Sequence, residues 1–496
     1  MKLKRSLKNL IVAFFSQGII MVLGLIIPRL TLTNYGSETN GYMTMVSQIY
    51  AYIGLLEAGL NTAVVQALYK PVATDDKDGI SAIISEARKY YRKIAFYYGA
   101  AVGISSIVIP LLIHTSMSKI EMILYFLLFG VSNVINFWFT AAMRPLLLAE
   151  GKNYVNSTIT LIFHIASQCV KILLLLVGAS IVALQLAYSV VNILQIVVYY
   201  IFFKTHYKWL DINRKDEAVS IKQRNAFFFQ QISNLIFSCT DVVLLSFFCD
   251  LKIASVYAVY MLIFNSLSTI ISMVTSSTQF VLGQGYNSDR EGYIYLHRTY
   301  ESLLLMFTFT IFTVAEVLTI PFIKLYTRGV TDINYVDYLL PFLFCVNGLL
   351  ATCKSTSLCL INFSFHAKQT MIRTFFEAGL NLTISIGLVP FLGIRGALIG
   401  TGCALLYRVV DTLLYSNHVI LKTSIKDTVK LYVANFLIFF ITVYVSSRKE
   451  IIITDWGGFI FTGLLCTGIC GAVFVSINLL INMSYLNLAK ARWFVG

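Results

Sequence analysis

The sequence predicts an all-α polytopic membrane protein with about fourteen transmembrane helices, in two parallel six-helix repeats around a central cavity and two peripheral C-terminal helices. Three observations support this fold class. Hydrophobic residues make up 57% of the 496 residues and charged residues 12%, whereas a soluble chain has about 25% charged residues. The apolar residues form runs of membrane-spanning length. The two halves of the chain also resemble each other in one register.

Apolar segments recur along the whole chain at the length of a bilayer-spanning helix, about 20 residues. The predicted spans are 9–31, 41–68, 94–114, 122–148, 154–177, 180–203, 224–248, 253–282, 301–325, 337–361, 370–392, 395–419, 428–446 and 456–482. The longest loops, near 69–93 and 205–223, leave no room for a soluble catalytic domain. The chain is therefore not expected to be an enzyme.

Basic residues concentrate in alternate loops. Lys2, Lys4, Arg5 and Lys8 precede the first span, whereas the next loop, 31–40, contains neither Lys nor Arg. This is the positive-inside pattern, and it predicts that both termini lie in the cytoplasm. The net charge of +14 is distributed over such loops, so nucleic acid is not expected as a partner.

The two halves share short matches at one offset. Residues 187–194 read AYSVVNIL and residues 406–413 read LYRVVDTL, and Tyr42 falls on Tyr257 at a similar offset. An even number of spans per repeat makes the halves parallel. The predicted division is an N-terminal six-helix bundle at 1–204, a cytoplasmic linker at 205–223, a second bundle at 224–420, and two more helices with a cytoplasmic tail at 421–496.

The fifth span carries a polar stripe. At 3.6 residues per turn, one face presents Ser157, Thr160, His164, Gln168 and Lys171, while the other faces are apolar. A charge at the depth of Lys171 costs about 3 kcal/mol or more when it faces lipid. The stripe is therefore expected to face other helices or water, and it predicts a central polar cavity.

Other spans carry polar residues at spacings of three or four. Neutral ones usually join helices by hydrogen bonds of about 0.6 kcal/mol each, whereas charged ones tend to mark transport pathways. For Lys171, Arg144, Lys354 and Glu377 both a role in the cavity and structural ion pairing stay open. Arg408 and Asp411 lie three apart and are expected to neutralise each other.

Several polar groups have a second reading. His164 is either a proton-responsive group or a hydrogen-bonded core histidine. Arg29 lies at a helix end, from which it can reach the membrane interface. The last two spans have no comparable stripe, so they are expected to pack outside the cavity.

Sequence motifs exclude several kinds of chemistry. The chain contains no GxxxxGK[ST], HExxH or GxSxG pattern and no paired Cys and His ligands, so no nucleotide, metal or other cofactor is expected. The cysteines lie mostly in apolar runs and are expected to be reduced. Energy for any transport is expected from an ion gradient, the membrane potential or the gradient of the substrate.

The first hairpin resembles a known family. It reads IPRL at 27–30, NYGSETNGY at 34–42 and LEAGL at 56–60, and the second half begins near TDVVL at 240–244. These features are similar to polysaccharide transporters of the Wzx flippase type, within the multidrug/oligosaccharidyl-lipid/polysaccharide exporter (MOP) superfamily that also includes the MATE transporters. The resemblance implies two six-helix bundles around a central cavity, often with two added helices, in a bacterial inner or plasma membrane.

The resemblance also implies a substrate and an action. An oligosaccharide repeat unit on undecaprenyl pyrophosphate would move from the cytoplasmic to the outer leaflet by alternating access, for the assembly of surface polysaccharide. Arg and Lys would meet the phosphates in a cationic cavity. Its expected partners are the lipid-linked oligosaccharide, membrane lipids, and a polysaccharide polymerase and chain-length regulator of the same pathway.

The candidate site residues form two groups. The candidates for phosphate and sugar binding are Arg29, Arg144, Lys171, Lys354, Arg373, Gln168, His164, Asn133 and Asn381. The candidates for coupling to H⁺ or Na⁺ are Glu57, Asp241, Glu377 and Asp411.

Three alternatives stay open at this stage. A MATE-type cation-coupled multidrug antiporter usually has twelve spans and an acidic cavity, and a lipid II flippase also has fourteen spans. A membrane-embedded polysaccharide polymerase or ligase needs a large external loop, and the predicted outer loops are all short.

Overall fold

The computed structural model describes residues 2–57, 59–212, 235–236, 239–364, 366–448 and 452–489, and all regular structure in these ranges is helical. The helices up to residue 248 are α1 Lys2–Ile53, α2 Leu60–Ala73, α3 Lys77–Leu112, α4 Lys119–Phe139, α5 Arg144–Ala149, α6 Asn153–Val177, α7 Ile181–His206 and α8 Cys239–Phe248. Those after it are α9 Leu251–Ser288, α10 Arg290–Tyr326, α11 Leu340–Phe363, α12 Ala367–Leu392, α13 Ile394–Tyr415, α14 Lys426–Ser446 and α15 Trp456–Ala489. A 3₁₀-helix, Gly54–Glu57, follows α1, and a π-helix, Ser416–Leu421, follows α13.

The described part of the chain contains twelve helical segments that are long and apolar enough to cross a membrane. Large apolar side chains lie on the surface of these segments, for example Phe391 at 85% and Leu464 at 70% exposure, which only a lipid environment tolerates in such number. The chain is therefore a multi-pass membrane protein. The predicted seventh span, 224–248, falls partly outside the described residues, and its described end is α8.

The first of these segments, Ile20–Ala73, covers two predicted spans. Its 54 residues would measure about 81 Å as one straight helix, against a hydrocarbon core of about 30 Å. The chain breaks at Gly36, where φ is 82° and ψ is 178°, a backbone conformation that is essentially restricted to glycine. A second interruption follows Glu57, where Gly59 has a φ of 79° before α2. Of the other predicted spans, 122–148 covers α4, a turn and α5, and 224–248 lies partly outside the described residues. Each of the rest coincides with one long helix.

The chain divides into two compact units, Met1–Ser255 and Val256–Gly496, called here the N-terminal and C-terminal units. The boundaries predicted at 204/205 and 223/224 came from the repeat. Residues 213–234 lie outside the described ranges, so those boundaries stay predictions.

Aromatic side chains join α1 to α4 in the N-terminal unit. The Tyr42 hydroxyl donates to the Met122 carbonyl over 2.7 Å, and the Tyr50 hydroxyl donates to the Phe126 carbonyl over 2.6 Å. The Tyr50 ring also stacks on Phe129, with 4.6 Å between ring centroids. These bonds satisfy buried phenol groups in a medium that offers them no water.

In the C-terminal unit, buried polar contacts join α14 to α10 and to α15. The Tyr432 hydroxyl donates to Glu301 over 2.9 Å, and the Asn435 and Asn478 amides exchange hydrogen bonds of 3.1 and 2.8 Å. The sequence showed no polar stripe on these two helices. Single amides and a phenol suffice to attach the helices to their neighbours without such a stripe.

Close approach of α1 to the start of α9 yields a prediction about stability. A Cβ at Gly41 would collide with the Leu251 carbonyl, whereas a Cβ at Gly103 in α3 would have no atom within 4 Å. Gly41→Ala is expected to lower the midpoint of thermal unfolding of the purified protein, by overpacking worth about 1–3 kcal/mol. Gly103→Ala is the matched control and should leave it unchanged; equal midpoints for both variants would contradict the packing described here.

Candidate functional site

Arg144 begins α5 directly after the turn that ends α4, and it reaches across to α6. Its Nε and Nη2 atoms donate to Asn156 Oδ1 over 3.2 and 3.0 Å. The guanidinium also lies 4.8 Å from the ring centroid of Tyr199, whose hydroxyl donates to the same Asn156 oxygen over 2.6 Å. Among the described residues no carboxylate lies within 4 Å of Arg144. Its charge is therefore held by neutral groups.

A polar cavity of about 160 Å³ opens beside Arg144 within the N-terminal unit. Its walls come mainly from α4 and α7. The lining residues are Phe129, Ser132, Asn133, Asn136, Arg144, Tyr188, Asn192, Gln195, Ile196 and Tyr199. Arg144 is the only charged group among them, and no carboxylate contributes to the wall.

The amide side chains in this wall have donor and acceptor atoms that are not bonded to the described part of the chain. Asn133 Nδ2 donates to the Tyr98 hydroxyl over 3.0 Å, Asn192 Nδ2 to the Tyr188 carbonyl over 3.0 Å, and Gln195 Nε2 to Thr160 over 3.5 Å. The side-chain oxygens of these three amides have no protein partner within the described part of the chain. Asn136 shows the converse, because its oxygen accepts from Thr140 over 2.8 Å while its Nδ2 is unpaired. The cavity therefore offers both donors and acceptors to a ligand.

Lys171 lies near this cavity through Tyr188. Its ammonium group is 3.9 Å from the centroid of the Tyr188 ring, which itself lines the cavity. Such a cation–π contact contributes about 0.5–2 kcal/mol. In the described ranges Lys171 makes no ion pair, so it is a second cation of this unit held by a neutral partner.

The other predicted residues of the N-terminal unit lie outside the wall of this cavity. His164 Nε2 and Gln168 Nε2 are 3.3 Å apart on α6, which matches the reading of a hydrogen-bonded histidine. Arg29 lies in the part of α1 before the break at Gly36. Asp241 is buried in α8, next to Thr240, whose hydroxyl bonds to that of Tyr52.

Glu57 lies at the second interruption of the α1–α2 segment. Its carboxylate accepts a hydrogen bond from the Tyr91 hydroxyl over 3.2 Å and interacts electrostatically with Arg144. A carboxylate beside a helix break, coupled to the cation of the cavity, is a suitable position for ion coupling. That role stays a prediction.

The C-terminal unit gathers five charges from α11, α12 and α13. Lys354 Nζ is 2.9 Å from Glu377, and Arg408 Nε is 3.5 Å from the second oxygen of Glu377. Asp411 bridges Arg373 and Arg408 with two contacts of 2.5 Å. This cluster of Lys354, Arg373, Glu377, Arg408 and Asp411 carries three cations and two carboxylates, and is called the charge cluster below.

The charge cluster contains one ion pair that the sequence predicts. Arg408 and Asp411 pair as expected, but Arg408 also holds Glu377 and Thr374. Each carboxylate therefore faces two cations. Asn381 is buried and donates to Thr401 over 2.8 Å, a contact that joins α12 to α13. The roles proposed from sequence for these residues stay predictions.

Three groups of polar residues were not predicted from the sequence. Asn192 and Gln195 lie three apart in α7 and could have been found by the same search for polar spacing. The buried pair of Arg298 and Glu301, 3.2 Å apart on α10, lies near the predicted start of the ninth span. Glu316 is a single carboxylate in an otherwise uncharged stretch of α10, so the hydropathy of that span does not indicate it. No group of three His, Cys, Asp or Glu residues that could hold a metal occurs in the described ranges.

The fold resembles solved membrane transporters. A lipid II flippase MurJ in an inward closed conformation aligns with a TM-score of 0.67 over 95% of this chain and 98% of its own, at 17% identity. A multidrug resistance MATE family transporter of the MOP superfamily, inward-facing, aligns with a TM-score of 0.62 over 80% of this chain and 94% of its own, at 13% identity. A MATE structure in the bent conformation aligns with a TM-score of 0.54 over 83% of this chain and 94% of its own, at 14% identity.

These likenesses concern the fold, which is of the MATE and MOP type. No protein-family model matches the chain, and no curated protein sequence matches it.

The charge cluster yields a second prediction about stability. Arg408→Gln leaves Glu377 and Asp411 short of a buried cation, since the Arg408 side chain is only 1% exposed, and should cost about 3–5 kcal/mol. Arg395→Gln removes a half-exposed partner of Asp337 and should cost less than about 1 kcal/mol. A thiol-reactive dye that reports unfolding through the buried Cys345 and Cys353 measures both. Equal losses would contradict the difference in burial.

Proposed function

We propose that this protein is a flippase for oligosaccharide repeat units linked to undecaprenyl pyrophosphate. It would carry the head group from the cytoplasmic to the outer leaflet for the assembly of surface polysaccharide. The observation that carries the proposal is the polar cavity of the N-terminal unit, whose cations Arg144 and Lys171 are held by neutral groups. A cation without a carboxylate partner is electrostatically available to an anionic ligand.

The cavity wall also suits a saccharide. Asn133, Asn192 and Gln195 present amide oxygens as acceptors, and Asn136 presents a donor, which together match hydroxyl groups that donate and accept. The Tyr188 and Tyr199 rings add apolar faces with a polar tip. A polar site of this kind replaces the hydration that a sugar loses on entering the membrane.

The two cations lie at different depths along α6. Asn156, which holds Arg144, and Lys171 are fifteen residues apart, which is about 22 Å along a helix. On the sidedness predicted from the loops, Arg144 lies toward the cytoplasm and Lys171 toward the outside. A pyrophosphate moving outward would meet Arg144 first and Lys171 later, while its polyprenyl tail stays in lipid.

The charge cluster supports the same preference for anions in the C-terminal unit. Three cations against two carboxylates leave one positive charge, and Arg373 is the most exposed member, at 40% of its side chain. Its guanidinium lies 5.0 Å from the centroid of Tyr415. The charge cluster therefore presents a cation on an aromatic ring, while both of its carboxylates are paired.

A MATE-type multidrug antiporter is less well supported. Cationic drugs favour acidic sites, whereas the cavity wall described here contains one arginine and no carboxylate. The MATE structures also align with 80–83% of this chain, against 95% for the lipid II flippase. The difference in aligned length is comparable to the length of α14 and α15, called here the C-terminal helix pair. A lipid II flippase is the second candidate, because that substrate also joins a pyrophosphate, sugars and a polyprenyl tail.

Coupling to H⁺ or Na⁺ through Glu57, Asp241, Glu377 or Asp411 belongs to this proposal as well. Glu57 is the best placed of the four, because its carboxylate interacts electrostatically with Arg144 in the N-terminal unit. Neutralisation of Arg144 by a bound phosphate would change the field at Glu57. A polymerase and a chain-length regulator are the partners that the product of such a flippase requires.

The proposal predicts the effect of removing each free cation. Arg144→Gln or Lys171→Gln should reduce translocation about 10- to 100-fold, since a charge-assisted hydrogen bond contributes about 1.5–3 kcal/mol. Translocation is measured in cells that lack the gene but keep the glycosyltransferases, by determining which leaflet holds the completed lipid-linked repeat unit. The variants should leave it on the cytoplasmic leaflet.

Lys152→Gln is the matched control. Lys152 is half exposed and pairs with Glu150 at 2.8 Å, apart from the cavity wall, so its loss should leave translocation unchanged. Normal translocation by both cavity variants would sink the cationic-cavity proposal. Rescue of cells depleted of their lipid II flippase, without an effect on surface polysaccharide, would favour the second candidate.

A further inference from the structure

Glu316 is a carboxylate on the buried face of α10 with no charged partner. At helical spacing it shares that face with Phe309 and Phe312, which are both buried. Nothing in the described ranges forms an ion pair or a hydrogen bond with it. The Leu318 side chain, two residues later, lies against Gly463 of α15, so the C-terminal helix pair passes at this level.

Charged residues are absent from the stretches that surround Glu316. It is the only one in α10 between Glu301 and Lys324, and α14 has none from 431 to 447. α15 has none from 456 to 489, and α9 has none from 256 to 288. Lys354 of α11 is nine residues beyond Cys345, which is about 13 Å along that helix.

The titratable groups around Glu316 are neutral ones. The Cys345 thiol of α11 interacts electrostatically with it, and Cys345 Sγ lies 3.2 Å from the Phe312 carbonyl, one turn before Glu316. The other titratable residues in the stretches 256–288, 431–447 and 456–483 are Tyr257, Tyr260 and Tyr286 of α9, Tyr432 and Tyr444 of α14, and Cys466 and Cys470 of α15. None of these can supply a counter-charge to a carboxylate.

Glu301 on the same face of α10 has the polar partners that Glu316 lacks. It is buried, and it pairs with Arg298 at 3.2 Å and accepts a hydrogen bond from Tyr432 over 2.9 Å. Glu316 lies fifteen residues further, about 22 Å along the helix, and has neither kind of partner. An unpaired carboxylate in such surroundings is costly, whereas the neutral acid is not.

This level of α10 lies near one membrane interface. Phe322 of α10 packs on Trp456, with 5.7 Å between ring centroids, and an aromatic pair of this kind is typical of the membrane interface. Glu316 lies six residues deeper, about 9 Å, on the side that the loops predict to be external. Nearby, the buried Thr313 hydroxyl has no partner in the described ranges and could bond an entering water.

We propose that Glu316 is an exchangeable proton-binding site within the membrane, the group through which protons from the external side drive the C-terminal unit through its transport cycle. The carboxylate takes up H⁺ from water on the external side and becomes the neutral carboxylic acid, which the surrounding helices can then enclose. The acid releases H⁺ as a carboxylate when the transport cycle opens this level to the cytoplasmic side, so that one proton crosses the membrane in each cycle. The coupling role rests on the proposed transport function, whereas proton binding does not.

The first test uses dicyclohexylcarbodiimide, which adds to protonated carboxyl groups in apolar surroundings. The purified full chain in lipid nanodiscs is labelled at several pH values, and the adduct is located by mass spectrometry. Glu316 should be labelled in acidic buffer and progressively lose its label in alkaline buffer. Glu121, which is exposed, and the paired Glu301 should stay unlabelled in the same molecules and serve as internal controls.

The other outcomes overturn the proposal. The absence of an adduct at Glu316 would mean an ionised carboxylate, and labelling that does not change with pH would mean a sealed structural acid. Because this test uses the wild-type chain, it does not depend on the folding of a variant.

The second test separates coupling from the proposed function. Proteoliposomes are loaded with lipid-linked repeat units, and translocation is followed with and without an imposed proton gradient. Glu316→Gln should keep the rate seen without a gradient and lose the acceleration by the gradient, while Glu121→Gln should keep both. Persistent acceleration in Glu316→Gln would reject the coupling role. If the wild-type chain moves no lipid-linked saccharide at all, the flippase function fails, and the labelling still decides the proton site.

Discussion

The cost of a charge in hydrocarbon governs the arrangement of this protein. An intramembrane charge must find an opposite charge, a set of neutral dipoles, or a proton that removes it. The described residues show the first two solutions directly. The charge cluster and the pair of Arg298 and Glu301 use opposite charges, whereas Arg144 and Lys171 use amides and aromatic rings.

These two solutions differ in what they leave for a ligand. An arginine already balanced by carboxylates has little net attraction for an anion, while a cation held by Asn156 or Tyr188 keeps its full charge. The N-terminal unit therefore holds the more available cations, and the C-terminal unit holds the more compensated ones. A lipid-linked pyrophosphate would be attracted chiefly by Arg144 and Lys171, with Arg373 as the exposed member of the charge cluster.

Hydropathy and helical spacing predicted the spans, the all-α fold and the pairing of Arg408 with Asp411, because all of these depend on residues close in sequence. The contacts of Arg408 with Glu377 and of Arg298 with Asn417 join different helices, so no pattern within one segment reveals them. The break at Gly36 falls within the loop predicted at 31–40, but the sequence does not single out that glycine as its position. The break depends on a backbone conformation that glycine permits but does not require. The structure gives the positions of the predicted site residues, whereas their roles in transport stay proposals.

The C-terminal helix pair connects these features within its own unit. At the end of α10 near Arg298, the Tyr432 phenol of α14 donates a hydrogen bond to Glu301 and joins the pair to the core. Nearer the other end, α15 passes Glu316 without offering it any partner. A pair that is hydrogen-bonded at one level and held only by apolar packing at another can separate more easily at the second, since apolar packing against lipid-exposed helices contributes little in a membrane. Such a difference would let water approach Glu316 while Glu301 keeps its partners.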